Sequence, residues 1–298
     1  MGNRETVCVS VIMPCHNDGR YLEEAVESLK KQTYSNLELL IIDDGSDEQE
    51  SIDAFNNVSF PSLKVLHTDH VGPSGARNQG IREARGEYIL PLDADDFIDP
   101  TYIEKAVNIM QENPDVGIVY CRADQFGERT GIWDLPDYSL KAELLDNVIF
   151  VTALFRKKDW EDIGGFCTTF KNGMEDYDFW LSLIQKGCEV VQIPEVLFHY
   201  RIKPVSRTTR FQDSYEGTQD TYRILYERHK DLYRKNMDLF VPEIRRVLID
   251  HIYQLRQFSL DPVVMYWAGA RKLNPKRSEM FERWLRIKNR IKRLIGRK

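Results

Sequence analysis

Four short apolar, β-rich runs near the start of the chain, each separated from the next by polar or helix-periodic sequence, constrain its fold more than any other feature. They occupy residues 7–13, 38–43, 63–67 and 87–93. Between the first two, Leu22, Ala25, Val26 and Leu29 recur at helical spacing, and Asn17 or Asp18 stands where a cap is needed. Residues 72–86 read as another helix, capped by Ser74 and stopped by Gly86. Strands alternating with helices imply parallel pairing through right-handed crossovers, because antiparallel hairpins would need turn signals after about two to five residues. A doubly wound α/β unit is the expected result.

Beyond Pro100 the alternation weakens. Residues 101–112 read as a helix, 117–121 and 147–155 as strands, and the segment opened by Glu175, Asp176 and Asp178 as a helix that Gly187 stops. Two strands are expected at 188–193 and 195–202, and helices from Phe211 onward. The expected organisation is therefore residues 1–100 and 101–210 as two halves of one α/β domain, with 211–298 as a helical extension.

Acidic clusters close the second and fourth runs: Asp43-Asp44 and Asp93-Ala94-Asp95. Parallel strands bring their carboxyl ends to one sheet edge, where open α/β folds hold their ligands. Four carboxylates gathered there repel one another, and a divalent cation carrying a phosphorylated ligand relieves the repulsion. Side chains at i and i+2 of a strand end share a side, so Asp93 and Asp95 can both address such an ion. Oxygen donors alone favour Mg²⁺ or Mn²⁺ over zinc. Two roles stay open for Asp43-Asp44: capping the helix that starts near Ser46, or accepting from ribose hydroxyls or a base N–H. Glu175-Asp176 can likewise be a simple helix cap, or a base kept ionised by the helix dipole. His199 either offers its imidazole to the metal or packs at a strand end.

With 298 residues and 42% hydrophobic content the chain can bury a sizeable core. No apolar run approaches the roughly 20 residues that cross a bilayer, and the first residues lack a secretory signal, so a cytoplasmic location is expected. Five scattered cysteines suit reduced thiols better than a disulfide framework or a zinc site. A dinucleotide oxidoreductase is disfavoured, since no G-x-G-x-x-G follows a strand. A nucleotidyltransferase needs a Gly-rich, Arg-containing loop after its first strand, and PCHNDGR lacks it.

Six segments, VSVIMPCHN, LLIIDDGSD, GPSGARNQG, GEYILPLDADD, IGGF and GMEDYDFWLSL, occur in order within residues 7–205. In content and spacing they resemble the family 2 glycosyltransferases, nucleotide-sugar enzymes of the GT-A fold. The resemblance implies a mostly parallel, doubly wound sheet with flanking helices. It also implies roles for individual residues. Pro14, His16 and Asn17 would line the nucleotide base, Asp44 would accept from it with Asp43 close by, and Arg77 and Asn78 would border the nucleotide. Asp93, with Ala94 beside it, would touch ribose, and Asp95 would ligate an Mn²⁺ or Mg²⁺ ion that Asp93 can share. Glu175 would lie along the donor, and Asp176 would be the general base of a single, inverting displacement. Arg201, Ser206 and Arg207 resemble a segment that folds over the diphosphate, and an exposed basic loop would look the same. Three departures from the family pattern stand out: His16 where many relatives carry Tyr, Cys167 after Gly-Gly-Phe where an acidic residue is common, and Ser182 where Arg is frequent. A UDP-sugar donor in cell-surface polysaccharide assembly is the expected setting. The rival is a non-catalytic nucleotide-sugar-binding scaffold of the same fold.

Charge is distributed unevenly. Residues 276–298 hold ten Lys/Arg against Glu279 and Glu282, a net +8 on a chain that totals −6. There Phe281, Trp284, Ile287, Ile291, Leu294 and Ile295 recur every three or four positions, offset from Arg283, Arg286, Arg290, Arg293 and Arg297. A basic, Trp-bearing amphipathic helix fits an anionic membrane surface, which would make the acceptor a polyprenyl-linked glycan at the inner leaflet. The alternatives are docking of its apolar face on the body of the protein or on a second copy in a homodimer. Nucleic acid is not an expected partner, because the rest of the chain is acidic. The Gln-x-x-Arg-Trp signature of processive relatives is broken here, with Met280 ahead of Arg283-Trp284, which implies one sugar per encounter.

Overall fold

The structure is a computed structural model that describes residues 6–170, 173–204 and 215–257. The basic segment 276–298, and Ser206 and Arg207, lie outside the described residues. The chain divides into two compact units after Asn236. Among the described residues no helix is long and apolar enough to cross a membrane.

The first unit is built on one mixed sheet in the order β3-β2-β1-β4-β8-β6-β9-β5, with β7 paired to β6. The strands β1 (Val9–Cys15), β2 (Leu37–Asp43), β3 (Leu63–His67) and β4 (Tyr88–Pro91) form its parallel half, as the alternation of the sequence predicts. Strands β1, β2 and β4 are buried on both faces and read accordingly as near-continuous apolar runs. The one polar break in β1, Ser10, donates to Glu38 and accepts the Gly86 N–H at 2.8 Å, so its hydroxyl is satisfied within the core.

The far half mixes directions. Strand β6 (Val116–Gly127) pairs in parallel with β9 (Glu189–Ile202) along a long ladder, whereas β8 (Leu154–Arg156), β5 (Phe97–Ile98) and β7 (Gly131–Ile132) join by antiparallel ladders two residues long. Several expected boundaries change here. The predicted strand at 147–155 is mostly irregular, and only its end enters β8. The two strands expected at 188–202 are one continuous β9, with register irregularities against β6 near Cys121 and Arg122.

Helices α1 (Gly19–Lys30), α2 (Gln49–Asn57), α3 (Gly72–Glu83) and α4 (Tyr102–Glu112) connect the N-terminal strands and lead into β6. After them come α5 (Leu140–Leu145), α6 (Lys157–Ile163), α7 (Glu175–Gln185) and α8 (Tyr215–Lys235). Helix α3 approaches the sheet closely because residue 80 is glycine: a Cβ there would lie 2.6 Å from Ile42 Cδ1 and 2.8 Å from Ile12 Cγ2. Ser74 does not cap α3, since it lies inside the helix with its hydroxyl buried and without a hydrogen-bond partner. Gly86 does not stop it either, because the helix ends at Glu83. The second unit contributes α9 (Met237–Gln257), whose Arg246 pairs along its own helix with Glu243 and Asp250.

Candidate active site

Because β1, β2 and β4 run in parallel, their carboxyl ends place Asn17 and Asp18, Asp43 and Asp44, and Asp93 to Asp96 on one edge of the sheet. Asp43 spends its carboxylate locally, Oδ1 accepting the Ser46 N–H at 2.8 Å and Oδ2 facing His67 Nδ1 at 2.9 Å. Burial pushes its acidity down, but these partners prevail and hold the carboxyl below its ordinary range. Neither Asp43 nor Asp44 caps α2. Instead Asp44 supplies the cap expected of Ser74: it accepts from Thr68 Oγ1 at 2.6 Å, Val71 N at 2.7 Å and Gly72 N at 2.8 Å, where α3 begins. The exposed ring of His16 lies 4.3 Å from that of His70, and both Nδ1 atoms face the Asp44 carbonyl, at 2.9 and 3.2 Å. Asn17 adopts a left-handed backbone (φ 58°) and binds Asp47 and Glu48 through its amide; Pro14, in β1, is half-buried beside this edge.

Arg77 joins two acidic regions that lie far apart in sequence. Its guanidinium donates to Asp93 Oδ1 at 2.7 Å and to Glu175 Oε1 at 2.9 Å, while its side chain and that of Glu175 are almost wholly buried. Burial opposes the Arg77 charge, and Asp93 and Glu175 more than restore it. The bridge fixes the first turn of α7 opposite the end of β4. Helix α7 is anchored from below, since burial of Phe179 and Leu183 contributes about 1.5–3 kcal/mol each. Its start is set by Gly173 (φ 120°) and Met174 (φ 69°), both in the left-handed region, and Asp176 Oδ1 accepts the Tyr177 N–H at 2.9 Å. A non-glycine residue pays about 1–2 kcal/mol for that backbone, a strain of the kind found where function fixes geometry.

Asp178, one of the three acidic residues that open this helix, pairs with bases. It binds Arg228 Nε at 2.6 Å and His229 Nε2 at 2.8 Å, which docks α8 on α7. Burial alone would raise this carboxyl, but His229 and Arg228 hold it below the usual range. Its stabilisation is therefore complete above about pH 4, where unfolded Asp is ionised, and is lost as pH falls through the lower folded value. Asp178→Asn should cost about 1.5–3 kcal/mol at neutral pH, the range for hydrogen bonds to charged groups. In urea unfolding the gap between variant and wild type should narrow below about pH 4; an unchanging gap would refute this role.

Three expected site residues are committed elsewhere. The Asn78 amide is engaged beneath the Gly165-Phe166 turn, donating to the Phe166 carbonyl at 2.8 Å and accepting from Trp160 Nε1 at 3.0 Å and Phe166 N at 2.9 Å. Arg201 belongs to β9: its guanidinium lies 4.4 Å from the Tyr21 ring and 4.3 Å from Phe126 and binds Glu24. His199 pairs with Asp124 at 2.6 Å and stacks on Phe97, so it is not gathered with Asp93 and Asp95. Among the described residues no group of three or more His, Cys, Asp or Glu side chains is arranged to hold a metal.

Asp95 nevertheless fits a cation brought in by a ligand. Burial raises its carboxyl, and Asp93 adds to the rise although Lys203 opposes it, so further positive charge there would be favourable. The Lys203 ammonium already sits 2.7 Å from Asp95 Oδ2. All the donors here are oxygens, and Mg²⁺ commonly uses only one or two carboxylates, the rest of its shell being water and substrate phosphate. Asp93 and Asp95 are the residues that would hold it. Two members of this edge carry little sequence signal. Buried Asp96, whose carboxyl burial raises well above the ordinary range, accepts the Arg201 N–H at 2.8 Å; Lys203 is a lone lysine in a basic segment. Only the third acidic residue of DADD hinted at the former.

The sequence profile described as Glycosyl transferase family 2 matches residues 10–179. That match covers more than half the chain, and the chain belongs to this family. An uncharacterized glycosyltransferase of Haemophilus influenzae is 31% identical over 186 residues, covering 60% of this chain and 62% of its own. Another, RP339 of Rickettsia prowazekii, is 30% identical over 71% of this chain and 69% of its own. The chain thus spans somewhat under two thirds of the Haemophilus relative. Among solved structures, Staphylococcus aureus TarS 1–349 in complex with UDP-GlcNAc has a TM-score of 0.60 at 21% identity, covering 74% of this chain and 66% of that one. The fold is GT-A, a mixed α/β sheet with flanking helices.

Proposed function

We propose that this chain is an inverting glycosyltransferase that moves one sugar from a nucleotide-sugar, a UDP-sugar, to a hydroxyl of a glycan or lipid-linked acceptor in cell-surface polysaccharide synthesis, with Mn²⁺ or Mg²⁺ as cofactor. One observation carries the reading: Arg77 ties Asp93, at the edge where α/β folds bind nucleotides, to Glu175, the neighbour of Asp176. Donor edge and candidate base are thereby held in one rigid frame. The TarS complexes with UDP and UDP-GlcNAc support the donor class by likeness of fold.

In this mechanism the edge formed by His16, Asn17 and Asp44 takes the base, and Asp93 takes the ribose. Asp93 and Asp95 would hold the divalent ion, which when bound would neutralise charge on the departing diphosphate. Asp176 accepts the proton of the acceptor hydroxyl as that oxygen attacks the anomeric carbon from the face opposite the leaving group. Glu175 stays paired with Arg77 and keeps the first turn of α7 in place. Burial of the α7 core excludes water from behind the base.

A melting screen of UDP-, GDP- and dTDP-sugars with Mn²⁺ tests the donor. A sugar nucleotide at about 100 times its Kd adds about 2.7 kcal/mol, or roughly 5 °C or more for a domain of this size. UDP-sugars should give the largest shift; no shift with any sugar nucleotide would remove the reading.

A further inference from the structure

The Lys203 ammonium, just past β9, contacts three carboxylate oxygens: Asp18 Oδ1 and Oδ2 at 2.9 Å each, and Asp95 Oδ2 at 2.7 Å. Asp18 follows β1 and Asp95 follows β4, so the lysine bridges two strand ends of the candidate site. Only 18% of its side chain is exposed, against 15% for Asp95, and its charge lies 5.8 Å from the Tyr21 ring. A compact cation is thus seated on the carboxylate that a divalent ion would take.

The neighbouring Arg201 is fixed differently. Two rings and Glu24 hold its guanidinium, and its N–H and Nε bind Asp96 and the Asp95 carbonyl. Lysine, by contrast, is a point charge on a flexible stem, able to exchange one set of anionic oxygens for another without a fixed fork geometry. A metal at bonding distance from Asp95 would stand close to the ammonium, and the two positive charges would repel. Lys203 can leave at little cost only if other anionic oxygens receive it, and a nucleoside diphosphate brings them.

We infer that Lys203 is an intramolecular competitor of the divalent cation for Asp95, displaced when metal and nucleoside diphosphate enter together. Metal alone then binds weakly, and metal and nucleotide strengthen each other's binding. The inference rests on the metal-dependent reading above and adds to it a residue that couples the two ligands. Coupling between ligands is commonly about 5- to 150-fold, and it is reciprocal.

The test is an electron paramagnetic resonance titration of free Mn²⁺ against the full chain, with and without UDP, alongside calorimetry of UDP. Wild type should bind Mn²⁺ alone weakly and about tenfold or more tightly once UDP is present. Lys203→Met should bind Mn²⁺ alone about tenfold more tightly than wild type, and UDP should then improve it much less. Lys203→Gln repeats the measurement with a polar side chain should the apolar one disturb folding, as judged by circular dichroism. Equal Mn²⁺ affinity without UDP in wild type and both variants, with an undiminished gain from UDP, overturns the role of Lys203 and leaves the metal reading intact. No Mn²⁺ binding by any of the proteins, while UDP binds, overturns the metal reading and this inference together.

Discussion

Asp176→Asn should lose at least about 10²-fold in turnover while keeping its affinity for the nucleotide, since positioned general-base catalysis is worth about 10²- to 10⁴-fold. The substitution is nearly isosteric, and an amide oxygen can still accept the Tyr177 N–H that Asp176 Oδ1 accepts at 2.9 Å. Fold and donor site should therefore survive, and the loss should fall on kcat rather than on nucleotide binding. Steady-state transfer assays with calorimetry of UDP on the same preparation separate the two effects. Transfer close to wild type would exclude Asp176 as the base; a parallel loss of UDP affinity would make it a binding residue instead.

Arg77→Met should be the most destabilising single change at the site. It strips the cation from Glu175, a buried carboxylate, and from Asp93, so that charge is left in a low-dielectric surrounding. Breaking a buried ion pair from one side costs about 3–5 kcal/mol, which lowers the melting temperature by roughly 10 °C in a unit of this size. Adding Glu175→Gln removes the stranded charge and should recover part of that loss. Donor binding should weaken with Arg77→Met as Asp93 loses its anchor. Unfolding of the single variant at the wild-type temperature would show that the bridge contributes nothing to the frame.

The parallel half of the sheet was legible because its strands are buried on both faces, and burial on both faces writes a continuous apolar run into the sequence. The helix opening at Glu175 was legible for a similar reason, with acidic residues at its start and Gly187, at φ 99°, at its end. The antiparallel ladders of β5 and β7 left no mark because two residue pairs are too short for a periodic pattern, and β8 keeps only the end of the run expected at 147–155. Asn78, Arg201 and His199 show the matching limit for side chains. Each has the chemistry of a ligand-binding residue, yet each already has protein partners, Asn78 with Trp160 and Phe166, Arg201 with Tyr21 and Phe126, His199 with Asp124.

By itself the sequence determined the family, the strand and helix alternation, the sheet edge to which Asp44, Asp93 and Asp95 had to come, and the acidic helix start that carries Asp176, because strand burial and helix-terminal charge are local and leave their pattern in the chain. Tertiary structure alone decided which of those charges are shared: the bridge from Arg77 to Asp93 and Glu175 spans 98 positions at its longer arm, and the contact of Lys203 with Asp18 spans 185. Ion pairing depends on distance through space between side chains, a quantity that spacing along the chain does not carry.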